Sequence, residues 1–326
     1  MGVYNGESAL QRTLDSLRAQ TFTDWELIAV DDASSDRSLK ILDAYAEQDE
    51  RIRVLRQEAN KGLTQALIRG CSEARGEFIA RQDVGDVSVP DRLQIQQQML
   101  KASPLVSLLS CRTQVCGPHG EILDTAIVNL DAEDATRQLR TTNLERIAGV
   151  SHHGSAMFRA ADYRKAGGYR GEFYFAQDLD LWLRLTDHGH MAFCPEVLYC
   201  SRISESCISS VYRDQQLATA ELIVEAFAAR SAGIPEGPIL LRAQAIRPVD
   251  RLKSRTDKAK GNYWIGRMLQ RRGDVRCLSY LFRSFLQNPA AWKALASLLI
   301  APPELLLHRF TALRGTQSKE TSVEAS

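Results

Sequence analysis

Two short runs of this 326-residue chain gather carboxylates: Asp31-Asp32-Ala33-Ser34-Ser35-Asp36 and Asp83-Val84-Gly85-Asp86. Each follows a segment of strand length, Trp25 to Val30 in the first case and Glu77 to Arg81 in the second. Carboxylates in loops at strand ends can accept hydrogen bonds from a ligand or bind a hard cation through oxygen. Asp also favours turns because it bonds its own backbone, which would account for one such turn. Two at equivalent strand ends point instead to a shared crevice. His152 and His153 could add a ligand or a phosphate contact, or be satisfied histidines with no such role.

The elements that must position these groups alternate. Ser8 and Gln11 have capping-box spacing, and Leu10, Leu14 and Leu17 recur on one helical face. A second helix carries Leu39, Leu42 and Tyr45; Ile52 to Leu55 reads as a strand, Leu63 to Ala74 as a helix, and Pro90 opens a helix that runs to Leu100. The expectation is an α/β fold, a doubly wound, mainly parallel sheet covered on both faces, with ligands at the carboxyl ends of the strands. After a strand at Leu105 to Ser110 the pattern is mixed, with ordered apolar stretches at Ser151 to Arg159 and Asp178 to Leu185. Beyond Tyr212 it is almost wholly helical. Tyr263, Trp264, Met268 and Leu269, a Gly273-Asp274 turn, and Leu278, Leu281, Phe282 and Phe285 make one helix-turn-helix unit, read as an appendage.

Composition is that of an ordinary globular protein, 44% hydrophobic and 25% charged, and a net charge of +1 gives no field for nucleic acid. One local excess stands out: twelve Lys and Arg against three Asp between Arg242 and Arg283. The seven scattered cysteines read as reduced thiols. With no leader pattern and no apolar run of spanning length, the expected location is cytoplasmic. The basic stretch from Arg251 to Arg272 and the apolar Trp292 to Leu307 suggest a peripheral contact with the inner face of the membrane, the alternative being an intramolecular helical cap.

A set of short phrases in fixed order runs from Val3 to Ser209. It comprises Val3-Tyr4-Asn5-Gly6-Glu7, Ser16 to Phe22, Val30 to Asp36, Asn60-Lys61-Gly62-Leu63, Ala74 to Arg81, Val89 to Leu93, His153 to Arg159, Gly167-Gly168-Tyr169 and Gln177 to Leu185. The ordered set resembles the family 2 glycosyltransferases. The resemblance implies a GT-A fold and inverting transfer of a sugar from a nucleotide diphosphate donor, expected as a UDP-sugar, to a hydroxyl of a glycan or lipid-linked glycan, in bacterial surface or exopolysaccharide synthesis. On this reading residues 1–212 form the catalytic domain, with a nucleotide half (1–92) and an acceptor half (93–212). Residues 213–315 form the helical region and 316–326 a disordered tail.

The resemblance also implies roles. Tyr4, Asn5, Glu7, Asp32, Asn60, Gly62 and Asp83 would hold the nucleotide, with Asp32 accepting the ring N–H of the base. Asp178 would be the general base; as an alternative it only caps a helix. His153, Gln177 and Trp182 would face the acceptor, although Trp182 taken singly reads as a core residue. Asp83 and Asp86 would hold Mg2+ or Mn2+. Here the sequence departs from the family's Asp-X-Asp motif, because Gly85 stands where the second acid is expected; a glycine before Asp86 would let the turn bring that carboxylate inward. Gln177 likewise replaces the usual Glu. A further departure is the short Met1-Gly2-Val3, read as the remainder of an apolar first strand after a misplaced start or a truncation, with loss of a central row of backbone hydrogen bonds. The rival reading is a catalytically impaired protein that binds a nucleotide sugar. A Rossmann oxidoreductase is disfavoured because no Gly-X-Gly-X-X-Gly follows the first strand.

Overall fold

The computed structural model describes residues 1–126, 128, 130–147, 149–203, 212–248 and 255–288. The α/β class stands. A first sheet has three parallel strands in the order β1 (Gly2–Val3), β2 (Leu27–Asp31), β3 (Ile52–Arg56). β2 is buried at all five positions because both of its faces are covered. Leu27 and Ala29 pack with Leu10, Leu14 and Leu17 of α1 (Glu7–Arg18) and Leu42 of α2 (Ser38–Gln48), while Ile28 and Val30 meet Ala66 of α3 (Leu63–Ser72).

The second sheet runs β4 (Phe78–Ala80), β8 (Met157–Arg159), β6 (Val106–Cys116), β9 (His190–Arg202), β5 (Val87–Ser88), with β7 (Ile122–Ala126) beside β6. The pairs β4–β8, β6–β8 and β5–β9 are antiparallel, so the mainly parallel pairing expected is seen in the first sheet, with antiparallel pairs in the second. α4 (Arg92–Ala102) covers one patch of it with Leu93 and Leu100. α5 (Ala132–Leu139), α6 (Ala160–Lys165) and α7 (Gln177–Leu185) contribute Leu139, Tyr163, Leu181 and Trp182 to the largest core.

By its contacts the chain forms two units, Met1–Gln114 with Thr125–Arg202 and Tyr212–Val249, and Val115–Asp124 with Ile203–Val211 and Asp250–Ser326. The helices grouped in one C-terminal region therefore divide. α8 (Arg213–Ser231) and α9 (Gly237–Gln244) sink Ile223, Phe227, Ile239 and Ala243 into the core of the first unit. In the second unit α10 (Arg255–Arg271) and α11 (Cys277–Gln287) are joined through Gly273, at φ 70°, and pack Ile265, Leu269 and Leu278 on Leu123. The expected tail and the apolar Trp292 to Leu307 lie outside the described residues. Among the described residues no helix is long and apolar enough to cross a membrane.

Three local expectations change. The Ser8–Gln11 capping box does not form: α1 starts at Glu7, and the N–H groups of Gly6 and Glu7 are bonded instead by Ser38 Oγ (2.8 Å) and Asp36 Oδ2 (3.0 Å). Cys116 and Cys200 are disulfide-bonded rather than reduced, whereas Cys71, Cys111, Cys194 and Cys277 are free; Cys207 is outside the described residues. The expected loss of a central backbone row is not complete, because the remaining first strand still pairs with β2. Val30 N–H donates to Met1 O and Asp32 N–H to Val3 O, each at 2.8 Å, and the Met1 ammonium donates to Ile28 O at 2.8 Å. Beyond Met1 a slot of about 570 Å³ separates Trp25–Ile28 from Phe78–Arg81, walled by Leu17, Leu67 and Met157.

Candidate active site

The loops after β1 and β2 are stitched side chain to backbone. Asn5, in the left-handed region at φ 49°, donates its N–H to Ser34 Oγ, and its Oδ1 accepts from the N–H of Ser35 (2.8 Å). The Glu7 carboxylate accepts from the Arg37 N–H (3.1 Å) and Nε (2.6 Å), and these contacts hold it below the usual glutamate range. Asn5 and Glu7 are thus committed to shaping the Asp31–Ser38 loop. Tyr4 remains half exposed at its edge.

Asp32 is buried, and both of its oxygens anchor the Asn60–Gly62 segment. Oδ1 takes the Gln57 Nε2 (2.9 Å) and the Lys61 N–H (2.8 Å), and Oδ2 the Gly62 N–H (2.8 Å). Oδ2 keeps one lone pair for a further donor. The neighbouring Asp31 accepts from the Ser34 N–H at Oδ2, while its buried Oδ1 has no partner among the described residues. Gly62 sits at φ 86°, and a Cβ there would lie 2.6 Å from the Tyr174 ring, so glycine is what lets the segment close on that tyrosine.

The second acidic turn bends as its glycine suggests. Gly85 is at φ 98°, a conformation an L-side chain rarely adopts, and its N–H is held by Thr13 Oγ1 (2.9 Å). The turn carries Asp86 inward to 4% exposure, where it joins Asp83 and His152; one ligand atom from each lies within 4.8 Å of the others. Two carboxylates and an imidazole suit Mn2+ or Mg2+, and the Asp86 oxygens, which accept one hydrogen bond each, retain lone pairs. Burial, with Asp83 beside it, lifts the Asp86 carboxyl to about 6. Burial alone would lift Asp83 too, but the Arg81 charge, with smaller contributions from the histidines, outweighs it and holds that carboxyl at about 2.

Arg81 is buried at the end of this turn. Its Nη2 donates to Asp83 Oδ1 (2.7 Å) and its Nε to His153 Nε2 (3.1 Å). The Tyr169 hydroxyl lies 3.0 Å from the same nitrogen. Burial and Arg81 push His153 down to about 4, so it is a neutral acceptor in this network. Trp182 is 2% exposed, edge-on to His153 and Phe158; it meets the site through His153 and presents no surface of its own.

Asp178 stands in the first turn of α7, whose N-cap is Ala176 with no side-chain cap bond, so Asp178 is not the cap. It is half buried beside buried Gln177 and has no hydrogen bond or ion pair among the described residues. Its charge acts on His153 and Tyr169. Asp180, two residues further along the helix, is bound by Arg184 (2.6 Å) and Arg170. Arg170 also pairs with Glu236, which pairs with Arg230, and Arg230 with Asp187.

Sequence reasoning did not single out Arg81 or Tyr199. Arg81 could have been found, since an arginine closing an apolar strand two residues before an acid is unusual; nothing local marks Tyr199, which pairing of β9 with β5 brings opposite Ser88.

With this geometry in view, comparison with known proteins places the chain. Residues 1–166 match the model of Glycosyl transferase family 2. The chain belongs to that family. It is 33% identical over 209 residues to the putative glycosyltransferase EpsE of Bacillus subtilis (strain 168), covering 61% of this chain and 70% of the relative. It is 27% identical over 214 residues to the amylovoran biosynthesis glycosyltransferase AmsE of Erwinia amylovora, covering 64% and 77%. Among solved structures, the mannosyltransferase PcManGT from Pyrobaculum calidifontis, in complex with GDP-Man and Mn2+, aligns with a TM-score of 0.52 at 18% identity, covering 94% of this chain and 85% of that one. That likeness shows the shared GT-A type fold. The chain is a glycosyltransferase.

Proposed function

We propose that this enzyme transfers a sugar, with inversion, from a nucleoside diphosphate donor to a hydroxyl of a glycan or lipid-linked glycan in extracellular polysaccharide synthesis. The observation that carries the reading is the uncommitted Asp178 carboxylate, whose charge is felt at His153, the neighbour in sequence of His152 in a cluster able to hold a cation. Asp178 takes the proton of the acceptor hydroxyl as that oxygen bonds to the anomeric carbon, and the bond to the diphosphate oxygen breaks with its electron pair leaving on the diphosphate. Asp83, Asp86 and His152 are the residues that would hold Mg2+ or Mn2+. A bound cation supplies charge neutralisation for the departing diphosphate. Tyr4, Asp32 and Asn60 line the base side, and the spare lone pair of Asp32 suits a base with a ring N–H. Uridine as that base comes from the family resemblance alone; the amylovoran relative favours a polysaccharide product, and a cytoplasmic site of action follows from a nucleotide donor.

Calorimetry of UDP and GDP binding, with and without Mn2+, tests the donor side. We expect Asp86→Asn and His152→Ala to raise the Mn2+ concentration needed for donor binding by about 10–100-fold. Donor binding that ignores Mn2+ in the wild type would remove the cation from the scheme. Binding without sugar transfer to any polysaccharide acceptor would favour the impaired, binding-only reading.

Attachment to the inner membrane face is proposed for the second unit, where Trp264, Phe282 and Leu286 are exposed, as are Lys258, Lys260 and Arg271. Each basic residue near anionic lipid is worth about 1 kcal/mol, so attachment weakens with salt. Flotation with vesicles of anionic lipid is expected at low salt and not at high salt; no flotation at low salt returns these helices to an internal cap.

A further inference from the structure

One buried side chain touches every member of the cation cluster. Tyr199, on β9, is fully buried, and its hydroxyl donates to Asp86 Oδ2 (2.9 Å) while accepting from the Asp83 N–H (3.2 Å). Its ring stacks on the His152 imidazole with centroids 5.6 Å apart and planes at 25°. The Arg92 guanidinium lies 4.7 Å from the ring centroid.

Arg92 is itself fixed. It is fully buried, and its partners are not carboxylates but Gln96 Oε1 (2.9 Å), Ser88 Oγ (2.9 Å) and the carbonyls of Arg81 (2.9 Å) and Gly154 (2.6 Å). Those carbonyls belong to the two segments that carry the cluster. At Gly154 a Cβ would lie 1.9 Å from the Tyr199 hydroxyl, so the single helical turn His153–Ser155 can approach the phenol only with glycine at its centre. A tyrosine present only to fill space would not have its hydroxyl placed between two members of a prospective ligand set.

We propose that Tyr199, backed by Arg92, is the positioning residue of the cation site. It fixes the Asp86 rotamer through the hydroxyl and the His152 ring through stacking, so that both point at one cation. This rests on the reading of Asp83, Asp86 and His152 as a cation site. Partners one step removed from a metal fix ligand direction, and their loss typically costs about 10–100-fold in metal affinity.

The test is Mn2+ binding followed by electron paramagnetic resonance, with Mn2+ alone and with Mn2+ plus UDP, on wild type, Tyr199→Phe, Asp86→Asn and the double variant. Tyr199→Phe keeps the ring and its stacking while removing the hydroxyl. We expect its Mn2+ dissociation constant to rise about 10-fold or more, with turnover recovered by excess Mn2+. In the Asp86→Asn background the same change should have little further effect, because the hydroxyl acts through that carboxylate. Equal Mn2+ affinity in wild type and Tyr199→Phe, or additive losses in the double variant, overturns the role of Tyr199 alone. Absence of Mn2+ binding by the wild type overturns the cation reading beneath it. Should Tyr199→Phe not fold, 3-fluorotyrosine at position 199 keeps the hydroxyl. Its fluorine resonance should shift on Mg2+ saturation, and no shift overturns the proposal.

Discussion

Asp178→Asn is expected to lower kcat by about 10²–10⁴-fold while leaving donor binding within about twofold. The substitution preserves size and removes the proton acceptor. Because Asp178 is neither the helix cap nor part of an ion pair among the described residues, the change breaks no described bond, and its structural cost should be small. The charge it removes does sit in the first turn of α7, where a carboxylate is stabilised by roughly 0.3–1 kcal/mol, so a slight fall in Tm is expected. Asp180→Asn is the informative contrast, since it weakens buried pairs with Arg170 and Arg184 and should cost stability first. Steady-state kinetics and UDP calorimetry on both proteins separate the two. Wild-type turnover in Asp178→Asn would remove it as the base.

Filling the slot beyond Met1 should produce the largest change in stability. In a chain whose free terminus is Met1, burial, aided by the Arg81 charge, lowers the α-amino group from 8.0 to about 5. Between those values the unfolded chain binds the proton and the folded chain does not, so stability rises with pH from about 5 and the penalty is gone above about 8. The residue is only partly buried, which reduces the cost at acid pH to the order of 1–3 kcal/mol. Five extended, mostly apolar residues ahead of Met1 would move the charge out of the slot and place side chains against Leu17, Leu67 and Met157. Each well-buried side chain contributes about 1.5–3 kcal/mol, offset by about 1–2 kcal/mol per residue ordered. Urea denaturation at pH 5 and pH 8 should show the extended protein more stable at both, by more at pH 5. An equal difference at the two pH values would mean that the ammonium is solvated in the slot.

Much of the site was legible in the residues because it depends on local chemistry. The two acidic turns, the glycine that bends the second, and the ordered apolar stretch from Asp178 to Leu185 each follow from short-range preferences that the fold keeps. The elements Leu27–Asp31, Ile52–Arg56 and Leu63–Ser72 fall close to where periodicity puts them. What was not legible is long-range. α1 looks self-capped by Ser8 and Gln11, yet its N–H groups are satisfied by Asp36 and Ser38, some thirty residues on. The antiparallel second sheet is built from strands as short as Val87–Ser88, which carry no periodic signal. Tyr199 meets Asp86 across 113 residues, and only strand pairing brings them together.

The chain of ion pairs around Asp180 bears on how the enzyme may be cut and recombined. The stretch that matches the family ends at residue 166, before the helix that carries Asp178. That helix is moored by Arg170 to Glu236 at the start of α9, and from there by Arg230 to Asp187 behind it. A boundary of ancestry is therefore not a boundary of assembly. A hybrid that exchanged acceptor preference by grafting a foreign C-terminal portion at residue 166 would import an Asp178 equivalent together with its moorings. One grafted after residue 212 would leave the helix without Arg230 and Glu236, and its seat would be set by whatever the foreign portion offered.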